Sequence, residues 1–192
     1  MRCSRSGFAL RFSSYFLIPS LCLVLTLSGR AFPCNKGLGG IRRIWVKAYD
    51  ADDFPQPTNG VIANSSQPAT FFGYDLAKNS GNLTQTINSS PENGTLFYDQ
   101  ALEAVLVSLV GADTAEFHNM LKTRLSILVE DNNGEYLLMG LDRGVEATGG
   151  SIATGTANGD LSGYTFNLSA QEALPCPHVT IGADITLTPM YA

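Results

Sequence analysis

The sequence predicts a mainly β protein, a β-sandwich or barrel with one flanking α-helix at about residues 113–124. Three observations predict it. Charged residues make up only 15% of the 192-residue chain, while Gly, Ser, Thr and Asn are common, a turn-rich balance. Period-two alternation recurs along most of the chain, as half-buried strands require. Only one segment carries a helix signature, and strands are predicted on both sides of it.

The elements follow in order. In "GGIRRIWVKAY", Ile44, Val46 and Ala48 alternate with Trp45, Lys47 and Tyr49, predicting a half-buried strand. "DADDFPQPTNG" breaks it with two prolines. Ala69–Leu76 predicts a short strand, and the polar Ala77–Gly94 a surface hairpin or mobile loop. Thr95–Val110 mixes helix-spaced leucines with strand-favouring valines, and the reading here is a long strand buried on both faces. Asp113 and Glu116 fit a capping box, followed by Phe117, Met120 and Leu121 on one helical face and Lys122 and Arg124 at its end.

Next, two apolar runs flank Asp131, Asn132, Asn133 and Gly134, the strongest hairpin signal in the chain, because Asn and Gly tolerate positive φ. Gly149 to Gly163 then places five glycines in fifteen residues, which predicts a conformationally demanding loop. Beyond it Tyr164, Phe166 and Leu168 alternate with polar residues. A last strand is predicted to carry Val179, Ile181, Ala183, Ile185 and Leu187 on one face.

Residues 1–31 differ in kind and are set apart from a single domain at 32–192. They hold Arg2, Arg5, Arg11 and Arg30, no acidic residue, and an apolar centre from Tyr15 to Leu27 that is short for a membrane span. Gly29 and Ala31 sit at the −3 and −1 places before Phe32, a secretory-signal pattern. Four of the twelve Lys+Arg and none of the seventeen Asp+Glu fall in this leader, which leaves the body at about −9. Such a body gives no reason to expect attraction to nucleic acid or anionic lipid. Beyond the leader only Cys34 and Cys176 remain; they form one bridge if the protein is exported and stay thiols in a reducing cytosol. Five Asn-x-Ser/Thr sites, at Asn64, Asn82, Asn88, Asn93 and Asn167, follow from a Ser/Thr/Asn-rich surface.

The chemistry-bearing patterns are weak. The glycine segment has no Lys-Ser/Thr after it and does not open a helix, so it is neither a phosphate loop nor a dinucleotide fingerprint. Acidic clusters at Asp50, Asp52 and Asp53 and at Glu130 and Asp131 lack calcium-loop spacing and are expected to be solvated turns. His118 and His178 supply no zinc spacing and adjoin no nucleophile motif; His118 is expected at a rim or in packing. No enzyme, metal or cofactor is expected.

Three stretches carry a resemblance: "CNKGLGGIRRIWV", "RLSILVEDNNGEYLLMG" and "EATGGSIATGTANGDLSGYTFNLSAQEALPCP", with a capped helix before the second. In this order they resemble tail-tube-like structural proteins of tailed phages and prophages, particularly those of Bacteroidetes-type bacteria, over most of Cys34–Val179. The resemblance implies a virion structural protein that self-assembles into a homo-oligomeric ring, commonly a hexamer, with rings stacked into a tube. It implies contacts with other tail proteins such as tape measure and terminator. DNA would be only a transient passenger in an acidic lumen, and no membrane is engaged. It also implies assembly loops that order by adding backbone pairs at neighbouring edges. These would be Thr148–Gly163, with Gly149, Gly150, Gly155, Gly159, Asp160 and Gly163, and Ala77–Gly94, with Asn79 and Asn82.

The leader departs from this family, whose subunits assemble in the host cytoplasm. Either residues 1–31 are an over-extended reading frame, which the breadth of the body resemblance favours, or the leader is genuine. The second case implies an exported β-sandwich adhesin or surface-binding module, in the periplasm or outside the cell.

Overall fold

The computed structural model describes Gly29 and residues 37–189, with the backbone alone at 112 and 113. The chain divides into a unit ending at Lys36 and a second from Gly37, and the architecture below belongs to the second. It is mainly β, two sheets with one flanking helix, as the sequence predicts. The elements are β1 (Ile41–Ala48), β2 (Val61–Ile62), β3 (Ala69–Asp75), β4 (Gly81–Ser90), β5 (Thr95–Val107), α1 (Gly111–Met120), β6 (Leu125–Asp131), β7 (Tyr136–Met139), β8 (Glu146–Ala153), β9 (Gly163–Glu172), β10 (His178–Val179) and β11 (Ile185–Pro189).

A seven-stranded sheet runs β11-β3-β1-β6-β7-β10-β2, and a four-stranded sheet runs β4-β5-β9-β8. The first sheet is apolar on both faces at its centre. On one face Ile44, Val46, Ile127 and Val129 meet Leu102, Ala104, Phe166 and Leu168 of the second sheet. On the other, Trp45, Phe71, Leu128 and Leu138 form a second core, closed by Phe54, Leu141 and Ile181 from connecting segments. The half-burial expected for β1 is therefore corrected: Ile44, Trp45 and Val46 are all buried. Alternation in sequence reported two different cores. Trp45 Nε1 donates to the buried Glu130 at 3.0 Å, and Asp53 pairs with Lys47, so two of the acids expected in solvated turns are buried and partnered.

Among the described residues the second sheet packs on one face only. Accordingly β5 is long but not buried on both faces: Gln100, Leu102 and Ala104 point inward while Ala101, Glu103 and Val107 are exposed. The helix is Gly111–Met120 in place of 113–124, with Val110 at its N-cap and no side-chain cap. The Asp113 side chain lies outside the described residues. The chain leaves β5 through Ser108 at φ 81 and enters the helix at once; Thr123 N bonds Met120 O, closing the turn before β6. Phe117 is buried, but Leu121 lies beyond the helix and is exposed. The single final strand expected over 178–187 is two short ones, interrupted where Ala183 and Asp184 turn outward.

The hairpin at Asp131–Gly134 forms as expected, joining β6 to β7. Only Gly134 uses positive φ, at 86. The asparagines hold the incoming chain instead. Asn133 donates to Leu38 O and accepts from Leu38 N, and Asn132 donates to Gly39 O at 2.7 Å. Asp131 Oδ1 accepts from Asn133 N and Glu135 N. Burial alone would raise its pKa, but the Asn133 amide and these backbone donors outweigh that and lower it.

The two sheets are tied at one end by buried polar groups of the four-stranded sheet. Gln100 accepts from Gly140 N, and the Glu172 carboxylate accepts from Asp142 N and Arg143 N. Burial raises the Glu172 pKa, and the two backbone donors only partly offset it. Native Glu172 thus holds its proton more tightly than the unfolded chain does. The stability it contributes is full below the unfolded value of about 4.3 and is lost as pH rises through the raised native value. The stability of wild type relative to Glu172→Gln is expected to increase as pH falls from about 7 towards about 4, read by urea denaturation. A pH-independent difference would show that this carboxylate is not desolvated.

Candidate functional site

The two ends of the four-stranded sheet stand out. Among the described residues no strand pairs with the outer edge of β4 or of β8. β4 is ten residues long and β8 eight. β4 forms because its polar and apolar residues alternate: Leu83 and Gln85 lie opposite buried Leu102 and Gln100, while Asn82, Thr84 and Thr86 lie on the outer face. Its hairpin partner follows through Pro91–Gly94, with Gly94 at φ 62. Of the two outcomes expected for 77–94, this is the surface hairpin. Asn79 sits in the preceding turn at φ 63, and Asn82 is the second residue of the strand.

β8 corrects the expectation of a glycine loop. Thr148, Gly149 and Gly150 belong to a strand, and only residues 154–162 connect it to β9. The glycines have separate reasons. A Cβ on Gly150 would lie 2.4 Å from Thr165 O, and one on Gly163 would lie 2.1 Å from Leu106 O, so close strand approach excludes side chains there. Gly155 turns at φ 74. Gly149 and Gly159 face nearly open space. Asp160 folds the turn by accepting from Thr156 N and Ala157 N, and these two bonds lower its pKa.

Beside β8 runs an open groove of about 540 Å³, floored by Ala147, Gly150, Ile152, Tyr164 and Phe166 and walled by Phe117, His118 and Leu121 of the α1 segment. Phe117 fixes this wall: its ring meets Tyr164 at 4.7 Å and Phe166 at 4.9 Å, both edge-on. Thr114 Oγ1 and Tyr164 OH share a hydrogen bond of 2.6 Å. Among the described residues no Asp, Glu, Lys or Arg lines the groove. His118 is exposed at its rim.

The outer face of the same sheet is polar at its centre, with Phe97 and Val107 exposed towards the two ends of β5. Strand pairing places Thr84, Thr86, Asp99, Glu103, Asn167 and Gln171 on it. β4, β5, β8 and β9 together contain no Lys or Arg. Glu146 is paired with Arg124, at 2.9 Å, from outside the sheet.

The remaining candidates are dispersed. Cys176 is a buried free thiol whose pKa burial pushes up to about 12; Cys34 lies outside the described residues, as does the leader apart from Gly29. His178 is exposed, 3.6 Å from Glu135. Among the described residues no group of three or more His, Cys, Asp or Glu could hold a metal, and no helix is long and apolar enough to cross a membrane. Sequence reading misses β8 as a surface, although Ala147 and Ile152 carry an apolar row through it; the glycines hide the strand period.

Gly150→Ala is expected to destabilise the fold by about 1–3 kcal/mol, since the Cβ meets a backbone carbonyl. Gly149→Ala should stay within about 0.5 kcal/mol of wild type. Chemical denaturation of both variants checks this, and equal effects would contradict the strand placement.

No protein-family model matches the chain, no curated protein matches its sequence, and no solved structure matches its fold.

Proposed function

We propose that the protein is a phage virion subunit that self-assembles into rings of a tail tube, with DNA passing through the lumen. The observation that carries this reading is the contrast between the edges of the two sheets. The seven-stranded sheet ends in a two-residue strand on one side and a five-residue strand closing on Pro189 on the other. Such edges resist pairing with another chain. The four-stranded sheet ends in long strands that hold no Lys and no Pro, and Glu146 is their sole charge. A monomer would need protection there, whereas an assembling subunit needs the edges bare.

The strand directions fit a closed ring. All neighbours in the four-stranded sheet are antiparallel, so β8 runs opposite to β4. A copy rotated about an axis along the strands therefore brings its β4 antiparallel to β8, and the sheet continues unbroken until it closes. Six copies would give twenty-four strands. At about 4.8 Å per strand the circumference is roughly 115 Å and the diameter about 37 Å before tilt widens it, room for a DNA duplex. The cation-free outer face, polar at its centre, would form the lumen wall. Asp99 and Glu103 would repel phosphate and let DNA slide.

The full-length chain in reducing buffer is expected to form rings or tubes visible by negative-stain electron microscopy; a protein that stays monomeric at every concentration overturns the reading. In assembled material, Asp99→Lys with Glu103→Lys should retain nucleic acid at low salt and release it steeply as salt rises, while wild type retains none. Absence of retention would remove this face from the lumen.

A further inference from the structure

We infer that the groove between α1 and β8 receives Ile87 from the β4 edge of a neighbouring copy, and that this contact sets the register of the ring. The inference rests on the assembly reading above and specifies what fixes its geometry. Ile87 is 65% exposed, although it lies on the inward row of β4 with Leu83 and Gln85. It sits opposite Tyr98, past the point where its own inter-sheet core ends. The inward row of β8 is Ala147, Gly150 and Ile152, opposite Leu168, Phe166 and Tyr164, and all three line the groove. When a sheet continues from one copy to the next, rows on one face stay on that face. The β4 row of the neighbour is thereby delivered to the groove side.

Register follows from the ladders. Level across one sheet, Ala147 lies in the row of Leu168, Leu102 and Leu83. Joined without a slide, a neighbouring β4 would meet only the first half of β8, because the levels of Ser151 to Ala153 run past Gly81 into the turn. A slide of about four residues pairs Asn82–Asn88 with the whole of β8, its bulge at Thr148 included. It puts Ile87 beside Ala147 and Leu83 beside Ile152. That slide is even, so no side chain changes face. It also matches the stagger of about one residue per strand that a closed barrel with strands tilted about 36° imposes across four strands. Gly150 leaves the groove floor low between the two contacts, and the uncharged lining suits an aliphatic side chain.

The test is a cysteine pair, Ile87→Cys with Ala147→Cys, in the full-length chain, oxidised after assembly. Residues directly opposite each other bring Cβ atoms within bridging reach, whereas within one copy the two positions lie on opposite edges of the sheet. The expected result is a ladder of covalent oligomers on a non-reducing gel. Ile87→Cys with Ile152→Cys, four rungs out of register, should give none. Separately, Ile87→Arg should leave thermal stability unchanged and raise the concentration needed for assembly at least about tenfold. Wild-type rings in which the 87–147 pair stays reduced overturn this inference and leave the ring reading standing. Filling of the groove by residues before Gly37 overturns it too, since the pair would then also stay reduced. Ile87→Arg that assembles like wild type overturns it as well. A wild type that never assembles overturns both readings.

Discussion

Strands β1 and β6 carry apolar side chains on both faces, and the rest of the fold answers that one constraint. A strand such as Leu125–Asp131, buried from Leu125 to Glu130, needs two covers. Connecting segments supply one, through Phe54, Leu141 and Ile181 over Trp45 and Leu128. The four-stranded sheet supplies the other. Because that sheet exists to cover, only its inner face is committed to the core. Among the described residues its outer face and both its edges are left uncovered.

The cover is fastened at its two ends by different means. At one end Gln100 and Glu172 reach the backbone of 140–143, so buried polar groups that would otherwise cost free energy become ties between sheets. At the other end Phe117 inserts between Tyr74 and the Tyr164–Phe166 pair, and α1 is held by its aromatic anchor with no capping side chain. Glu116 and Met120 add contacts to the Tyr74 hydroxyl, and Thr114 adds one to Tyr164. Leu121 and His118 are left at the groove rim.

How much of this is legible in the chain depends on whether the signal is local. The Asp131–Gly134 turn is readable because turn chemistry acts within four residues; that Asn132 and Asn133 also pin residues 38–40 is not, since the partners are more than ninety positions away. β1 reads as half-buried because alternation cannot tell solvent from a second core: Trp45 and Lys47 alternate with Ile44 and Val46, yet Trp45 is buried against Phe71 and Leu128. β8 reads as a loop because clustered glycines suggest unusual φ. Gly150 and Gly163 are instead positions of close backbone approach inside paired strands. The acidic surface can be summed from sequence, but the absence of Lys and Arg from all four strands of one sheet emerges only when those strands are set side by side.

If the subunit assembles as proposed, bare edges are a liability beforehand, and the sequence of the edge strands limits it. β4 is built from Asn, Thr, Gln and Ser around two apolar residues, a composition with too little hydrophobic surface to aggregate non-specifically. β8 is rich in Gly and Ala, which pair weakly alone. Edge hydrogen bonds by themselves give little net free energy in water, about 0.5–1.5 kcal/mol each, and do not select one register over another. Selection then has to come from side chains that can be buried in only one alignment. In the proposed ring that role falls on β4 to Ile87, the sole large apolar residue of the strand left mostly exposed, and on β8 to the groove beside it. Polar strands that pair only when a single apolar contact is satisfied would stay soluble as monomers and still close in one geometry.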